Sequence, residues 1–273
     1  MRKSDRIQKI LDVVLTEGNA TVDYLADILG VSKVTIRRDL QTLCSNGDYP
    51  IKKVRGGVMY AIEKLGFEPM FEIKLRNMTD AKKKIAEIAF HLISDGDTVF
   101  LDSGTTIYFL AKMLAGRKGL KVLTVDVKVA EELAKHSNVK TIIACGEVRP
   151  GYYSICGTET IRFLHSFRAD KAFISTDAWN LNGIFNSSTF EVEVKRTLIE
   201  LAEKRYLLAD HTKFGKNAFV KISDIDVFHA IITDSPPSEN VLQSLENLGI
   251  KVLFPNGKDQ TVNQSDEAHH SVG

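Results

Sequence analysis

From residue 81 onward the chain repeats one unit, a short and continuously apolar run of strand length, usually followed by a helical pattern. The runs are "DTVFLD", "KVLTV", "VKTIIAC", "KAFIST", "RYLLAD", "HAIITD" and "KVLFP". Between them lie "TTIYFLAKML", "VAEELAKH", "GTETIRFLHSF", "EVEVKRTLIELA" and "VLQSLENL", and "KKIAEIAFHLI" leads them in. A strand that is apolar on both faces must be covered on both, and parallel neighbours need long crossovers, which helices supply. The pattern therefore predicts an α/β domain with a mostly parallel sheet over residues 81–255. A chain of 273 residues has room for a second, smaller domain before it.

Residues 1–60 have a different grammar. Ile7, Ile10, Leu11 and Val14 recur at helical spacing, "EGNAT" ends that helix, and Thr21 is placed to cap "VDYLADIL". Gly30 ends the second helix, Ser32 caps a third, and "SNGD" closes the third with Asn46 and Gly47 as turn residues. "YPIKKV" and "VMY" around "RGG" read as a hairpin, so the order is that of a winged helix-turn-helix. Positive charge is concentrated here: residues 31–60 hold six Lys/Arg against two Asp/Glu, in a chain whose totals are 36 and 35.

The third helix, "SKVTIRRDLQTL", turns Ile36, Leu40 and Leu43 to the core. Val34, Arg38, Gln41 and Ser45 then point outward, flanked by Thr35 and Arg37, with Ser32 and Lys33 at the helix start. Such a face of donors suits base edges and phosphates in a major groove, and Lys52, Lys53 and Arg55 of the hairpin add phosphate contacts. Basic residues on a helix are often merely solvated; the break between helices, the cap and the basic wing together favour the reading as a double-stranded DNA interface.

In the large domain, polar residues gather at strand ends, where open parallel sheets bind ligands. "LDSGTT" ends a strand and opens a helix, so the amides of Gly104, Thr105 and Thr106 can surround an anion. Asp102, Asp126, Asp177 and Asp210 follow apolar runs, Arg149 lies in "CGEVRPG", and Lys213 follows Asp210 in "LADHTKFG". The amides, Thr hydroxyls, Arg149 and Lys213 suit a phosphate, and Asp102, Asp177 and Glu191 can accept from sugar hydroxyls. Each signal alone is weak, since an Asp after a strand is usually a helix cap; their recurrence at four strand ends points to a small-molecule site.

The stretch "ATVDYLADILGVSKVTIRRDLQTL", followed by "RGGVMY", resembles the DNA-binding domain of the DeoR family of bacterial transcriptional regulators. "KIAEIAFHLISDGDTVFLDSGTT", "CGEVRPGYYSICG", "RADKAFISTDAWNLNGIF", "FEVEVKRTLI" and "LLADHTKFG" resemble blocks of that family's effector domain, so the likeness runs over about residues 3–254. The resemblance implies a helix-turn-helix at residues 20–39 and a second domain related in fold to ribose-5-phosphate isomerase and glucosamine-6-phosphate deaminase. It also implies a phosphorylated sugar effector, with Asp102, Gly104, Thr105 and Thr106 matching the phosphate loop, Asp177 the middle acidic loop and Lys213 the Asp-x-x-Lys-Phe-Gly block. The chain departs from the family at Thr124, Val125 and Asp126, where Thr-Asn-Ser is usual, and at Ser175, Thr176, Asp177 and Ala178, where Gly-Ala-Asp-Gly is usual.

The resulting expectation is a sugar-responsive regulator, in the main a repressor, and not an enzyme. An isomerase-type enzyme with an added DNA-binding arm is the alternative; Glu191 and Glu193 are its candidate bases, but "NSSTFEVEVK" lacks a glycine-rich loop around them. One winged helix covers little DNA, so a dimer or tetramer assembled through the large domain is expected. Cys44, Cys145 and Cys156 have no metal-ligand spacing, and neither metal nor cofactor is expected. No apolar run is long enough for a membrane span, and "MRKSDRIQKIL" lacks a signal-peptide core, so the expected location is the cytoplasm. Residues 61–80 read as a linker, and 256–273 as a polar, disordered tail.

Overall fold

The computed structural model describes residues 2–17, 19–45, 51–60, 68 and 70–255. The turn expected at Asn46 and Gly47, part of the linker and the tail at 256–273 lie outside the described residues. The first domain runs α1 (Lys3–Glu17), β1 (Asn19–Thr21), α2 (Val22–Leu29), α3 (Lys33–Ser45), β2 (Ile51–Val54) and β3 (Gly57–Tyr60). Each break has a local cause. The Thr21 hydroxyl accepts from the Tyr24 amide at 3.1 Å, Gly30 takes the left-handed conformation that ends α2, and the Ser32 hydroxyl accepts from the Thr35 amide at 3.2 Å.

Ile10, Leu11, Val14, Leu25, Ile36, Leu40, Leu43 and Val58 form the first domain's core. Asp39 is buried within it, and its carboxylate accepts from both Nε and Nη2 of Arg6, tying α3 to α1. The wing is a three-stranded sheet in the order β1-β3-β2, because "NAT" pairs with β3; three residues are too few for a strand period to be read in advance.

The second domain continues with α4 (Phe71–Arg76), α5 (Thr79–His91), β4 (Thr98–Leu101), α6 (Thr105–Met113), β5 (Leu120–Thr124), α7 (Val127–Leu133) and β6 (Val139–Ile143). There follow β7 (Glu147–Val148), β8 (Ile155–Cys156), α8 (Thr158–Leu164), β9 (Ala169–Ser175), β10 (Ala178–Asn180), β11 (Gly183–Asn186) and α9 (Val192–Glu200). The last described elements are β12 (Ala202–Leu208), β13 (Val220–Ser223), β14 (Ala230–Ile232), α10 (Glu239–Asn247) and β15 (Lys251–Leu253).

The main sheet has seven strands in the order β15-β14-β12-β9-β4-β5-β6, and every pairing in it is parallel. Along β4, Phe100 faces a core shared with α8, α9 and α10, while Val99 and Leu101 face one shared with α5, α6 and α7. That two-sided burial explains the unbroken apolar runs. A small antiparallel sheet, β10-β11-β13, is formed by the segments that follow the central strands β9 and β12.

The stretch expected to be linker differs. Residues 71–76 are helical, α5 begins at Thr79, and Phe71 and Ile73 are buried. A six-residue helix holds too few turns for a period to show, so its docking, not its pattern, defines it.

In the wing, Gly57 pairs with Thr21, and a Cβ added at Gly57 would lie 2.3 Å from the Ala20 carbonyl oxygen. Gly57→Ala should therefore separate β1 from β3 and destabilise the first domain by about 1–3 kcal/mol. Urea unfolding checks this; an unchanged midpoint would refute the close packing.

Candidate functional site

Two surfaces gather the side chains expected to bind. The first is built on α3. Lys33, Val34, Arg37, Arg38, Gln41 and Ser45 are exposed, and Thr35 is half-buried with its hydroxyl 2.9 Å from that of Ser32. Lys52, Lys53 and Arg55 are exposed on the hairpin, and Arg37 and Lys53 line one hollow between α3 and the wing. All nine residues expected at DNA thus lie on the hairpin or on α3 and its capping residue, Ser32. Lys33 is partly committed, its ammonium 3.0 Å from Asp23 of α2.

The second is a cavity of about 680 Å³ at the carboxyl ends of β4, β9 and β12. From β4 the chain adds β5 and β6 on one side, then crosses back to β9 and adds β12, β14 and β15 on the other. The helices on either side of this reversal diverge and leave a crevice. Gly104, Thr105, Thr106, Asp177, Glu191 and Lys213 all line it. Gly104, at φ +121°, turns the chain from β4 into α6, and the first intrahelical bond there runs from Tyr108 N–H to its carbonyl. The Gly104 amide is not directed at the cavity: it donates to Asp126 at 3.1 Å, and the amides of the following first turn are the ones without an intrahelical partner.

Asp102 and Arg149 are placed differently from expectation. Asp102 is fully buried beneath the cavity floor, where its Oδ2 accepts from Lys195 Nζ and from the Ser175 amide at 2.9 Å. The Arg149 guanidinium is committed behind the wall, donating to Glu191 at 2.6 Å and to Glu68 at 3.0 Å. Two buried carboxylates therefore compete with any ligand for Arg149, and a buried lysine for Asp102.

Four lysines that sequence reasoning passed over line the same cavity: Lys74, Lys82, Lys195 and, exposed at its rim, Lys216. Burial works against the Lys195 charge, but Asp102 and Glu191 raise its pKa above the ordinary lysine value. Lys74 donates to Glu68 and to Asp177, each at 2.9 Å. Burial disfavours its charge too, yet Asp177, Glu68 and Glu191 hold its pKa well above the usual range. Burial also opposes the charge of Asp177, but Lys74 and Lys213 keep it below the usual carboxylate range.

Lys82 is the exception. It donates to the backbone carbonyls of Asn77, at 2.6 Å, and Lys74, and burial pushes its pKa down to about 7; Asp210 opposes that shift, while Lys213 and Lys74 reinforce it. A signal for two of these lysines was present. Lys82 shares a helix face with Ile85, Ala86 and Ala89, and Lys195 with Val192, Leu198 and Ile199, so each is a charge at a core position.

A winged helix joined to a crevice at the strand ends of a parallel sheet is the build of a DNA-binding regulator with a sensor domain. The sequence matches the DeoR-like helix-turn-helix domain over residues 6–64 and the DeoR C terminal sensor domain over residues 77–235. It is 35% identical over 239 residues, 87% of this chain and 94% of that protein, to the HTH-type transcriptional regulator IolR of Bacillus subtilis. It is 30% identical over 253 residues, 92% of this chain and 99% of that protein, to the glycerol-3-phosphate regulon repressor of Escherichia coli. Among solved structures, ribose 5-phosphate isomerase A of Methanocaldococcus jannaschii aligns over 50% of this chain and 54% of its own, with a TM-score of 0.37 and 15% identity. eIF2B delta of Chaetomium thermophilum aligns over 59% and 57%, with a TM-score of 0.43 and 20% identity. The chain belongs to the DeoR family and is a DNA-binding transcriptional regulator rather than an enzyme.

The buried Lys195–Asp102 pair generates a stability prediction. Lys195→Ala leaves a carboxylate uncompensated and should cost about 3–5 kcal/mol, whereas removing both charges should cost less than the two single losses combined. A double-mutant cycle in denaturant measures the coupling; additive losses would show that the two side chains do not act as a pair.

Proposed function

We propose that this regulator represses a sugar-catabolic operon and that a phosphorylated sugar, bound at the strand-end cavity, controls its grip on DNA. The observation that carries the reading is the division of charge inside the cavity. Lys213, Lys82 and the first turn of α6 supply donors for a phosphate, while Asp177 and Glu191 supply acceptors for hydroxyls. The name of the Escherichia coli relative, a repressor of a glycerol-3-phosphate regulon, is in keeping with such an effector. We further propose assembly as a dimer or tetramer through the large domain and action in the cytoplasm. Among the described residues no helix is long and apolar enough to cross a membrane.

The reading is tested by titrating sugar phosphates against the protein on its operator while assaying for product. Altered DNA affinity without turnover is expected, and no response to any sugar phosphate would refute it. On the DNA face, Arg38→Ala should weaken operator binding by ~1–3 kcal/mol with loss of sequence preference, whereas Lys53→Ala should weaken all sequences evenly and lower the salt slope by about one. Gel-shift titrations at several salt concentrations separate the two; wild-type selectivity in Arg38→Ala would remove that side chain from base contact.

In the cavity, Lys213→Ala should leave operator affinity near wild type yet need about 10-fold more effector for the same response. Lys82 adds a pH signature. It faces two carbonyls, Asp210, Lys213 and Lys74, and an incoming phosphate favours its protonated form. Below its free-state pKa of about 7 that proton is already present; above it, binding must take one up. Effector affinity should therefore fall about 10-fold between pH 7 and pH 9, where the phosphate is already dianionic, and Lys82→Met should abolish the slope. Calorimetry at several pH values measures it, and parallel profiles for the two proteins would exclude Lys82 from the phosphate site.

A further inference from the structure

Residues 68 and 70–77 touch both halves of the molecule at once. On one side the segment is docked to the large domain: the Phe71 amide donates to the Gly151 carbonyl at 2.9 Å, and Tyr152 donates its hydroxyl to the Glu68 carbonyl at 2.7 Å. The Phe71 ring meets Tyr108 and Tyr153 edge to face, with centroids 5.8 Å and 5.4 Å away. On the other side, Ile73 is buried in the core of the winged helix, and Met70 packs against that core. Arg76 pairs with Asp12 of α1 and also lines the cavity.

Between these two attachments stands Lys74. Its ammonium bridges Glu68 and Asp177, the latter 103 residues away on the loop after β9. Its own carbonyl accepts from Lys82, a second cavity residue. The cavity thus holds α4 at two points of one residue, by the side chain through Asp177 and by the backbone through Lys82. A polyhydroxylated anion would compete for both, its hydroxyls for Asp177 and its negative charge for Lys82. Loss of these ties would free the helix that carries Ile73 and Arg76 into the first domain.

We propose that α4 is the element through which occupancy of the cavity reaches the DNA-binding domain, with Lys74 as the point at which the cavity holds it. This rests on the effector reading for what enters the cavity, but the mechanical link is a property of the protein without ligand. A ligand alters DNA affinity only by binding the two states unequally, and rupture of the Lys74–Asp177 tie is the difference between them.

The test uses the full chain with DNA that it selects itself from a random-sequence pool. Lys74→Met, Lys74→Arg and Asp177→Asn are compared with wild type for DNA affinity and for amide exchange in 71–76 and in α1. Asp177→Asn removes the charge that ties the lysine to the cavity without altering α4, which guards against a folding defect in the first variant. Without ligand, Lys74→Met and Asp177→Asn should shift DNA affinity about 5-fold or more and speed exchange in both α4 and α1, with Lys74→Arg, which keeps the charge, shifted less than Lys74→Met. Affinities within ~2-fold of wild type with unchanged exchange in α1 would overturn the proposal, even if α4 itself exchanged faster. Glycerol 3-phosphate, ribose 5-phosphate and glucosamine 6-phosphate are then added to each protein. A sugar phosphate that shifts wild type should act in the same direction as Lys74→Met and change the variant by less than ~2-fold; a full response in the variant would also overturn the link. No binding of any of the three to wild type would count against the effector reading alone, because the ligand-free comparison still decides the role of α4.

Discussion

The buried contact between Lys195 and Asp102 sits where the sheet reverses its order, and the cavity is built around it. Lys195 comes from α9, Asp102 from the end of β4, and both bind Ser175 at the end of β9: its amide donates to Asp102 at 2.9 Å, and its carbonyl accepts from Lys195 at 3.1 Å. One ion pair therefore holds together the two strands between which the crevice opens and the helix that forms its wall. Desolvating two charges costs several kcal/mol per ion before their attraction is counted, so an apolar pair could hold these elements at no loss of stability. What charges add is direction: each oxygen and each N–H must face its partner, which fixes the loop ends that α6 and Asp177 extend toward the cavity.

Other charges in and behind the cavity wall are paired in the same way. Lys74 is shared by Glu68 and Asp177, and Arg149 by Glu68 and Glu191. Burial pushes Glu68 up, and the two cations offset this only in part. A ligand entering such a site replaces internal partners rather than water, so its free energy of binding is a difference between two sets of charge-assisted contacts. Selectivity follows from that exchange. A compound with a phosphate but no hydroxyls satisfies the cations and leaves Asp177 and Glu191 without the partners it displaced.

What was legible in the sequence is what local rules determine. Thr21, Gly30 and Ser32 mark helix ends through contacts within four residues, and the apolar runs announce a sheet buried on both faces. The loops at Gly104 and Lys213 could be placed because strand ends are where such folds bind. Pairings across long separations could not. Nothing local distinguishes Asp102, held by a lysine 93 residues on, from an Asp free to meet ligand, or shows that Arg149 is held by carboxylates 42 and 81 residues away. Lys82 and Lys195 lie between these extremes, since a lysine on an apolar helix face is visible in sequence but its partner is not.

The shortness of α4 connects these points. Six residues are well below the length at which a helix holds itself together in water, so α4 owes its form to the surfaces on either side of it. A long helix would keep its shape when one contact was lost and would pass on only a rigid displacement. α4 has Phe71 in one domain, Ile73 in the core of the other and Lys74 in the cavity, within four residues. Loss of the cavity's hold on Lys74 therefore lowers the stability of the turn that supports Ile73, and the winged helix loses part of its own core packing together with the Arg76–Asp12 contact. The coupling between the two sites is then a property of marginal local stability, placed by the sequence where the domains meet.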